Sequence, residues 1–183
     1  MSGMLAGLRR YDHRLTRRIA AWDHPWIRTA LPTAQDAAEH TLLWWGAAAA
    51  VAATGGRRGR VAAGAGLAAM GLAEVLSNTV GKQLVERRRP PKEWIPNEEV
   101  EDRPTSSSFP SGHTAAAVAF AATVAVVSPR AGALCAPAAL AVALGRVHSG
   151  AHYPSDIAAG GLIGLAATAL VLTGRHRATR RWR

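Results

Sequence analysis

The sequence predicts an all-α protein, a helical transmembrane bundle of five to six helices, and three observations carry that prediction. Five long stretches are nearly free of charge, although mean hydropathy over the whole chain is only +0.02. None of the five alternates apolar and polar residues with the period of two that marks a strand. None has the polar face of a surface helix, and 183 residues cannot build a core that hides five such helices from water. A soluble, alanine-rich bundle would have nothing left to form its wetted surface.

Composition removes other classes. Lys and Arg number 22 against 12 Asp and Glu, for a net charge of +10, and nearly all the basic residues are arginine. These arginines cap and separate the uncharged stretches and form no stripe on one face, which argues against a nucleic-acid partner. Cys135 stands alone in an apolar run, so there is no disulfide scaffold. With 49% apolar residues the chain is too hydrophobic for disorder.

The elements follow in order. Residues 1–35 form a basic N-terminal segment. Leu5, Leu8, Leu15, Ile19 and Trp22 recur at helical spacing with Arg9, Arg10, Arg14, Arg17 and Arg18 mostly between them. That pattern predicts an amphipathic helix on an anionic membrane surface, with Trp22 and Trp26 at headgroup level. Residues 36–174 form the membrane domain. Its uncharged runs are 40–56, 61–81 (interrupted only by Glu74), 104–129, 131–145 and 157–174. A spanning helix needs roughly 20 apolar residues, so the second and third runs are ample and the others need flanking residues or a thin, tilted crossing. Gly160 and Gly164 are spaced for close helix packing. Glu74 is expensive against lipid and is expected to face other helices, as an interhelical hydrogen bond more than as a site residue. Residues 175–183 are a tail with five arginines, a basic juxtamembrane end.

Chemistry is expected around the long polar loop at 82–109, where Pro90, Pro91, Pro96 and Pro104 forbid a continuous helix. Lys82 and Arg89 lie seven residues apart, close to two helical turns, which would send both cations off one helix face towards a phosphate. Alone, a snorkelling belt with Arg87 and Arg88 explains them as well. Ser111, Gly112 and His113 precede an apolar helix. Ser111 can cap it, Gly112 opens backbone N–H groups to an anion, and His113 can protonate a departing alkoxide. In the third cluster, Arg146 adds a cation, and His152 stands four residues before Asp156. A carboxylate there would fix the imidazole tautomer and leave the other ring nitrogen free to attack. His148, with no acidic neighbour before Asp156, is read as structural. The set suits phosphoryl transfer without a metal: no His/Asp/Glu cluster has metal-ligand spacing, and no cofactor is expected.

Lys82 with Arg89-Pro90, Pro110-Ser111-Gly112-His113, and Arg146 with His152 and Asp156 closely resemble, in order, the signature of the type 2 phosphatidic acid phosphatase superfamily, which also contains vanadium haloperoxidases. The resemblance covers roughly residues 77–164. It departs at Gly145, where the family usually has serine. It implies a six-helix bundle with the site near one membrane face. It implies that Lys82, Arg89 and Arg146 bind phosphate, assisted by Ser111 and the Gly112 amide, and that His152, oriented by Asp156, attacks phosphorus. His113 would protonate the leaving oxygen, and water would hydrolyse the phosphohistidine. The expected substrate is a lipid phosphate: phosphatidate, phosphatidylglycerophosphate, polyprenyl (di)phosphate or a polyprenyl-phospho-sugar. A vanadate-dependent haloperoxidase or a non-catalytic lipid-binding protein are the alternatives, but haloperoxidase relatives are larger and soluble, and neither catalytic histidine nor Asp156 is missing. Setting aside the three phosphate cations, fewer basic residues remain on the motif side than on the opposite loops and tail. A multi-pass protein of the plasma membrane with an extracytoplasmic site is expected, provided the N-terminal helix crosses.

Overall fold

Helix-forming, uncharged sequence dominates the structure. The computed structural model describes residues 2–39, 41–96 and 106–181. His40 and residues 97–105, with Arg103 and its acidic neighbours, lie outside the described residues, as do the side chains of Leu5 and of Arg180, Arg181 and Arg183. Among the described residues there are seven α-helices of four residues or more and no strand: α1 Ser2–Ala20, α2 Pro25–Glu39, α3 Leu42–Thr54, α4 Gly56–Val75, α5 Gly112–Val127, α6 Pro129–His148 and α7 Pro154–Arg181. The five uncharged runs become α3 to α7. The N-terminal segment makes two helices, because Pro25 opens a new one after the break at residues 21–24.

Three segments are long and apolar enough to cross a bilayer: Gly56–Thr79, Pro129–His148 and Pro154–Arg177. The run 104–129 looked ample, yet its helix starts only at Gly112, after Pro110 and the Ser111 cap. With 16 residues, α5 is about 24 Å long against a hydrocarbon thickness of about 30 Å. It can be short because protein surrounds it. Helices α4, α6 and α7 all pack on α5, whose Ala115, Ala117, Ala119, Phe120 and Val124 are fully buried.

Small residues set the spacing. A Cβ at Gly160 would stand 2.4 Å from the Ser111 carbonyl oxygen, and one at Gly164 2.6 Å from that of Ala115. The glycine pair therefore lays α7 directly on the backbone of α5, as its spacing predicts.

Helix α1 turns Asp12, Thr16, Ile19 and Ala20 inward and leaves its arginines exposed, while Leu8 is half exposed. The inward face is thus more polar than the leucine spacing suggests. Asp12 accepts the Ser155 backbone N–H (3.0 Å), and the His148 Nε2 bonds the Trp22 carbonyl (3.0 Å). On α2, Gln35 Oε1 accepts from the Ser149 hydroxyl (3.2 Å). Both N-terminal helices therefore lie at the motif end of the bundle. Their six arginines join Arg87, Arg88 and Lys92 there, against Arg57, Arg58, Arg60, Arg130 and the four tail arginines up to Arg181 at the other end. That near-even balance removes the charge argument for an outward-facing site.

Gly160→Ala is expected to destabilise the protein by about 1–3 kcal/mol through this overpacking. The readout is a lower thermal midpoint in detergent. Gly161→Ala, where a Cβ meets open space, is expected to leave the midpoint equal or slightly raised.

Candidate active site

The path of the chain decides which side chains converge. Helix α4 runs through a π-helical turn, Leu76–Gly81, into a last turn at Lys82–Leu84, and Val85 is already extended (φ −137°, ψ 110°). Lys82 and Arg89 therefore do not leave one helix face two turns apart. The prolines at 90 and 91 bias the preceding residue away from helix, and the segment before them is extended. In an extended chain, alternate residues share a side. Arg87 and Arg89 are turned inward and Arg88 is exposed.

Lys82, Arg89, Gly112, His113, Arg146 and His152 line one cavity of about 110 Å³. These are six of the eight residues expected to form the site, and they come from α4, the extended segment, α5, α6 and the α6–α7 loop. The two exceptions are Ser111 and Asp156, which do not line it. Ser111 is fully buried and its hydroxyl is spent on the helix cap, accepting the Thr114 N–H (3.4 Å) and bonding the Thr114 hydroxyl (3.0 Å). The structure thus shows the expected capping role and leaves Ser111 outside the cavity lining.

His152 is buried, and its Nδ1 lies 2.6 Å from the Ser108 carbonyl oxygen. A carbonyl only accepts, so Nδ1 carries the proton and Nε2 is left with a free lone pair. Asp156 Oδ2 is 3.9 Å from the same Nδ1, beyond hydrogen-bond range. The tautomer is therefore fixed by Ser108 and not by Asp156, as the sequence spacing suggested. The carboxylate is engaged elsewhere: it accepts the Tyr153 N–H (2.8 Å) and pairs with Arg87 Nη1 (2.5 Å).

Electrostatics favour an anion. Burial, then the charges of Arg146 and Arg89, push His152 well below the ordinary histidine value, so it rests neutral. Burial and the same two guanidiniums lower Lys82. Burial works against the charge of Arg87, but Asp12 and Asp156 more than offset it and hold the group above its usual value. Arg146 is nine-tenths buried, and its Nε has no partner among the described residues. Arg89 Nη1 donates to the Ala151 carbonyl (2.7 Å), which anchors its fork against the His152 loop.

Sequence reasoning missed part of the cavity. Glu39, Thr41, Trp44, Glu74 and Asn78 also line it. Glu74 had a visible signal, as the single charge in a greasy run. The others had none, because nothing in the local sequence says that α2, α3 and α4 meet at this point. Arg87, Asp12 and Ser108 were missed for the same reason. At Gly145 a Cβ would stand 2.8 Å from Gln35 Cγ, so the space that a serine would need is taken.

A buried set of cations, a helix N-terminus and a neutral histidine with a bare nitrogen, mounted among apolar helices, define a membrane phosphatase. Residues 62–180 match the PAP2 superfamily, and the chain belongs to it. A decaprenylphosphoryl-5-phosphoribose phosphatase from Mycobacterium tuberculosis is 34% identical over 166 residues, 87% of this chain and 88% of that protein. The fold is similar to the crystal structure of Aquifex aeolicus LpxE, with a TM-score of 0.68, 22% identity, and 87% of this chain and 93% of that one covered. It is also similar to a transmembrane PAP2-type phosphatidylglycerolphosphate phosphatase from Bacillus subtilis, with a TM-score of 0.64, 19% identity, and 93% of this chain and 87% of that one covered. The protein is an integral membrane lipid phosphatase.

The protonation states predict the pH profile of kcat/KM, which reports the free enzyme. His152 acts neutral, and its lowered value means that mild acid does not protonate it, so this group causes no acid-side loss near pH 6.5. Lys82 acts charged, and its value is lowered from 10.5, so its alkaline limb begins below the ordinary lysine range. Lys82→Arg is expected to move that limb upward while reducing the maximum, as read by phosphate release across the pH range.

Proposed function

We propose that the chain removes the terminal phosphate from a polyprenyl-linked sugar phosphate, without a metal ion and through a phosphohistidine. The lone pair left on Nε2 of His152, a residue that lines one cavity with three cations, is the observation that carries the chemistry. That lone pair attacks phosphorus while the bond to the leaving oxygen breaks in line. His113, in the first turn of α5, takes up a proton when the charge of the bound phosphate offsets the cations around it, and gives that proton to the leaving oxygen. Water then attacks the phosphohistidine, His113 takes a proton from it, and inorganic phosphate leaves with Nε2 restored. Lys82, Arg89, Arg146 and the Gly112 amide hold the phosphoryl oxygens, and loss of one cation costs about 2–4 kcal/mol of transition-state stabilisation.

Two facts support a sugar between phosphate and lipid. The Mycobacterium tuberculosis relative is named for a decaprenylphosphoryl phosphoribose substrate. The cavity also holds Glu39, Thr41, Glu74 and Asn78 beside the cations. Carboxylates repel a bare phosphate, whereas they accept hydrogen bonds from sugar hydroxyls. We further propose a site on the extracytoplasmic side of the plasma membrane, a reading that the family resemblance supports and charge does not.

The test is phosphate release in detergent, without divalent metal, from a polyprenylphosphoryl pentose phosphate, phosphatidate, phosphatidylglycerophosphate and polyprenyl diphosphate. The pentose substrate is expected to give the highest kcat/KM, and a higher value for phosphatidate overturns the sugar reading. His152→Ala is expected to abolish turnover and any acid-labile phosphoenzyme. His148→Ala, which loses the bond to the Trp22 carbonyl, is expected to keep most activity. Equal behaviour of the two variants overturns the choice of nucleophile.

A further inference from the structure

We propose that Asp12, on the N-terminal helix, is a positioning residue for phosphoryl transfer. It acts through Arg87 and the first turn of α7 to hold Asp156 and the loop that carries His152. The proposal rests on the reading of His152 as nucleophile. Asp12 does not line the cavity and touches no reacting atom, so it is not itself catalytic.

Asp12 is 1% exposed. A carboxylate removed from water persists only where charge and hydrogen bonds replace its hydration. Asp12 has three such contacts. Its Oδ2 accepts from Arg87 Nη2 (2.8 Å) and from the Ser155 hydroxyl (2.6 Å), and its Oδ1 accepts the Ser155 backbone N–H (3.0 Å). Ser155 is the second residue of α7, and the first N–H groups of a helix have no partner within it. Asp12 therefore caps α7 from another helix, at the end where negative charge is favoured.

Arg87 carries this anchor to the site. Its Nη1 bonds Asp156 Oδ1 (2.5 Å) and the Ser155 hydroxyl (2.7 Å), and its guanidinium lies 4.1 Å from the centroid of the Tyr153 ring. Asp156 in turn reaches back to the Tyr153 N–H (2.8 Å), in the manner of a capping box, and its carbonyl accepts the Ser111 N–H (3.1 Å). Tyr153 adjoins His152. A second route uses the Arg87 backbone, whose carbonyl accepts the Ser108 N–H (2.9 Å), while the Ser108 carbonyl accepts the proton on His152 Nδ1. Both routes to the nucleophile pass through Arg87. Asp12 holds the second nitrogen of the Arg87 guanidinium, Nη2, while Nη1 goes to Asp156 and Ser155.

The experiment compares kcat and KM of wild type, Asp12→Ala, Asp12→Asn and Asp12→Glu in detergent, with the panel substrate that is turned over fastest. Asp12→Ala is repeated in an Asp156→Asn background. Displacing a reacting group by about 1 Å can cost about 100-fold, so Asp12→Ala is expected to lower kcat about 10- to 100-fold with KM within about twofold. Asp12→Glu is expected to restore part of it. In the Asp156→Asn background Asp12→Ala is expected to cost little more, since the two act in one chain of contacts. Asp23→Ala, which loses an exposed ion pair with Arg28, serves as the control and is expected to leave activity unchanged.

An Asp12→Ala enzyme with wild-type kcat overturns the proposal, even if its thermal midpoint falls. So does an equal fold loss in both backgrounds, which makes Asp12 independent of Asp156. If Asp12→Ala does not fold, Asp12→Asn carries the same comparison, because it keeps an acceptor for Ser155 and removes the charge facing Arg87. Turnover by His152→Ala sinks the phosphohistidine reading itself, whereas full kcat in Asp12→Ala beside an inactive His152→Ala sinks the positioning role alone.

Discussion

Three like charges drawn into one partly buried cavity are the constraint from which the rest of the structure follows. Lys82, Arg89 and Arg146 line the same space, and the last two depress the first. These cations repel one another, and the phosphate proposed above would reverse the sign of that energy. That reversal is useful for catalysis only if the cations cannot relax away from each other beforehand. Each belongs to a different element, so the backbone has to hold them.

It does so by close packing of small residues. Helix α5, shorter than a bilayer, is enclosed by α4, α6 and α7, and its first turn supplies Gly112 and His113 to the cavity. Gly160 and Gly164 allow α7 to touch the α5 backbone, which brings Asp156 to the loop before α5. The Ser111 N–H to Asp156 carbonyl bond then ties the second and third motifs together. Alanine and glycine carry most of the hydrophobicity for this reason. Larger side chains would bury more area but would separate the helices that carry the site.

The five apolar helices and six of the eight expected site residues were legible in the sequence, because both are encoded locally. Uncharged length marks a membrane helix whatever surrounds it, and short spacings such as Ser111-Gly112-His113 survive any packing. What was not legible depends on distant segments meeting. Arg87 reads as one member of an arginine run, and only an extended backbone, with its period of two, turns Arg87 and Arg89 in and Arg88 out. Asp12 sits among arginines on a helix that looks built for a membrane surface. Its burial follows from where α7 begins, 143 residues later in contact order. Asp156 shows the limit of spacing arguments: four residues from His152 is close enough to suggest a pair, yet the Ser108 carbonyl, 44 residues away, accepts the Nδ1 hydrogen bond.

The contrasting roles of two histidines in the α6–α7 connection have the same kind of origin. His148 ends α6, and its ring meets the Trp22 carbonyl of the N-terminal segment. His152, four residues on, would share that face if the helix continued. It does not, because Gly150 adopts φ +65°, a left-handed conformation that costs other residues about 1–2 kcal/mol. The chain reverses there, and the His152 N–H returns to the Arg146 carbonyl (3.0 Å). One glycine thus gives the two histidines different surroundings, and the reversal puts His152 in the cavity with Arg146, where burial and then that charge lower its basicity. His152 and the Arg146 cation are set by one turn, so neither can move without the other.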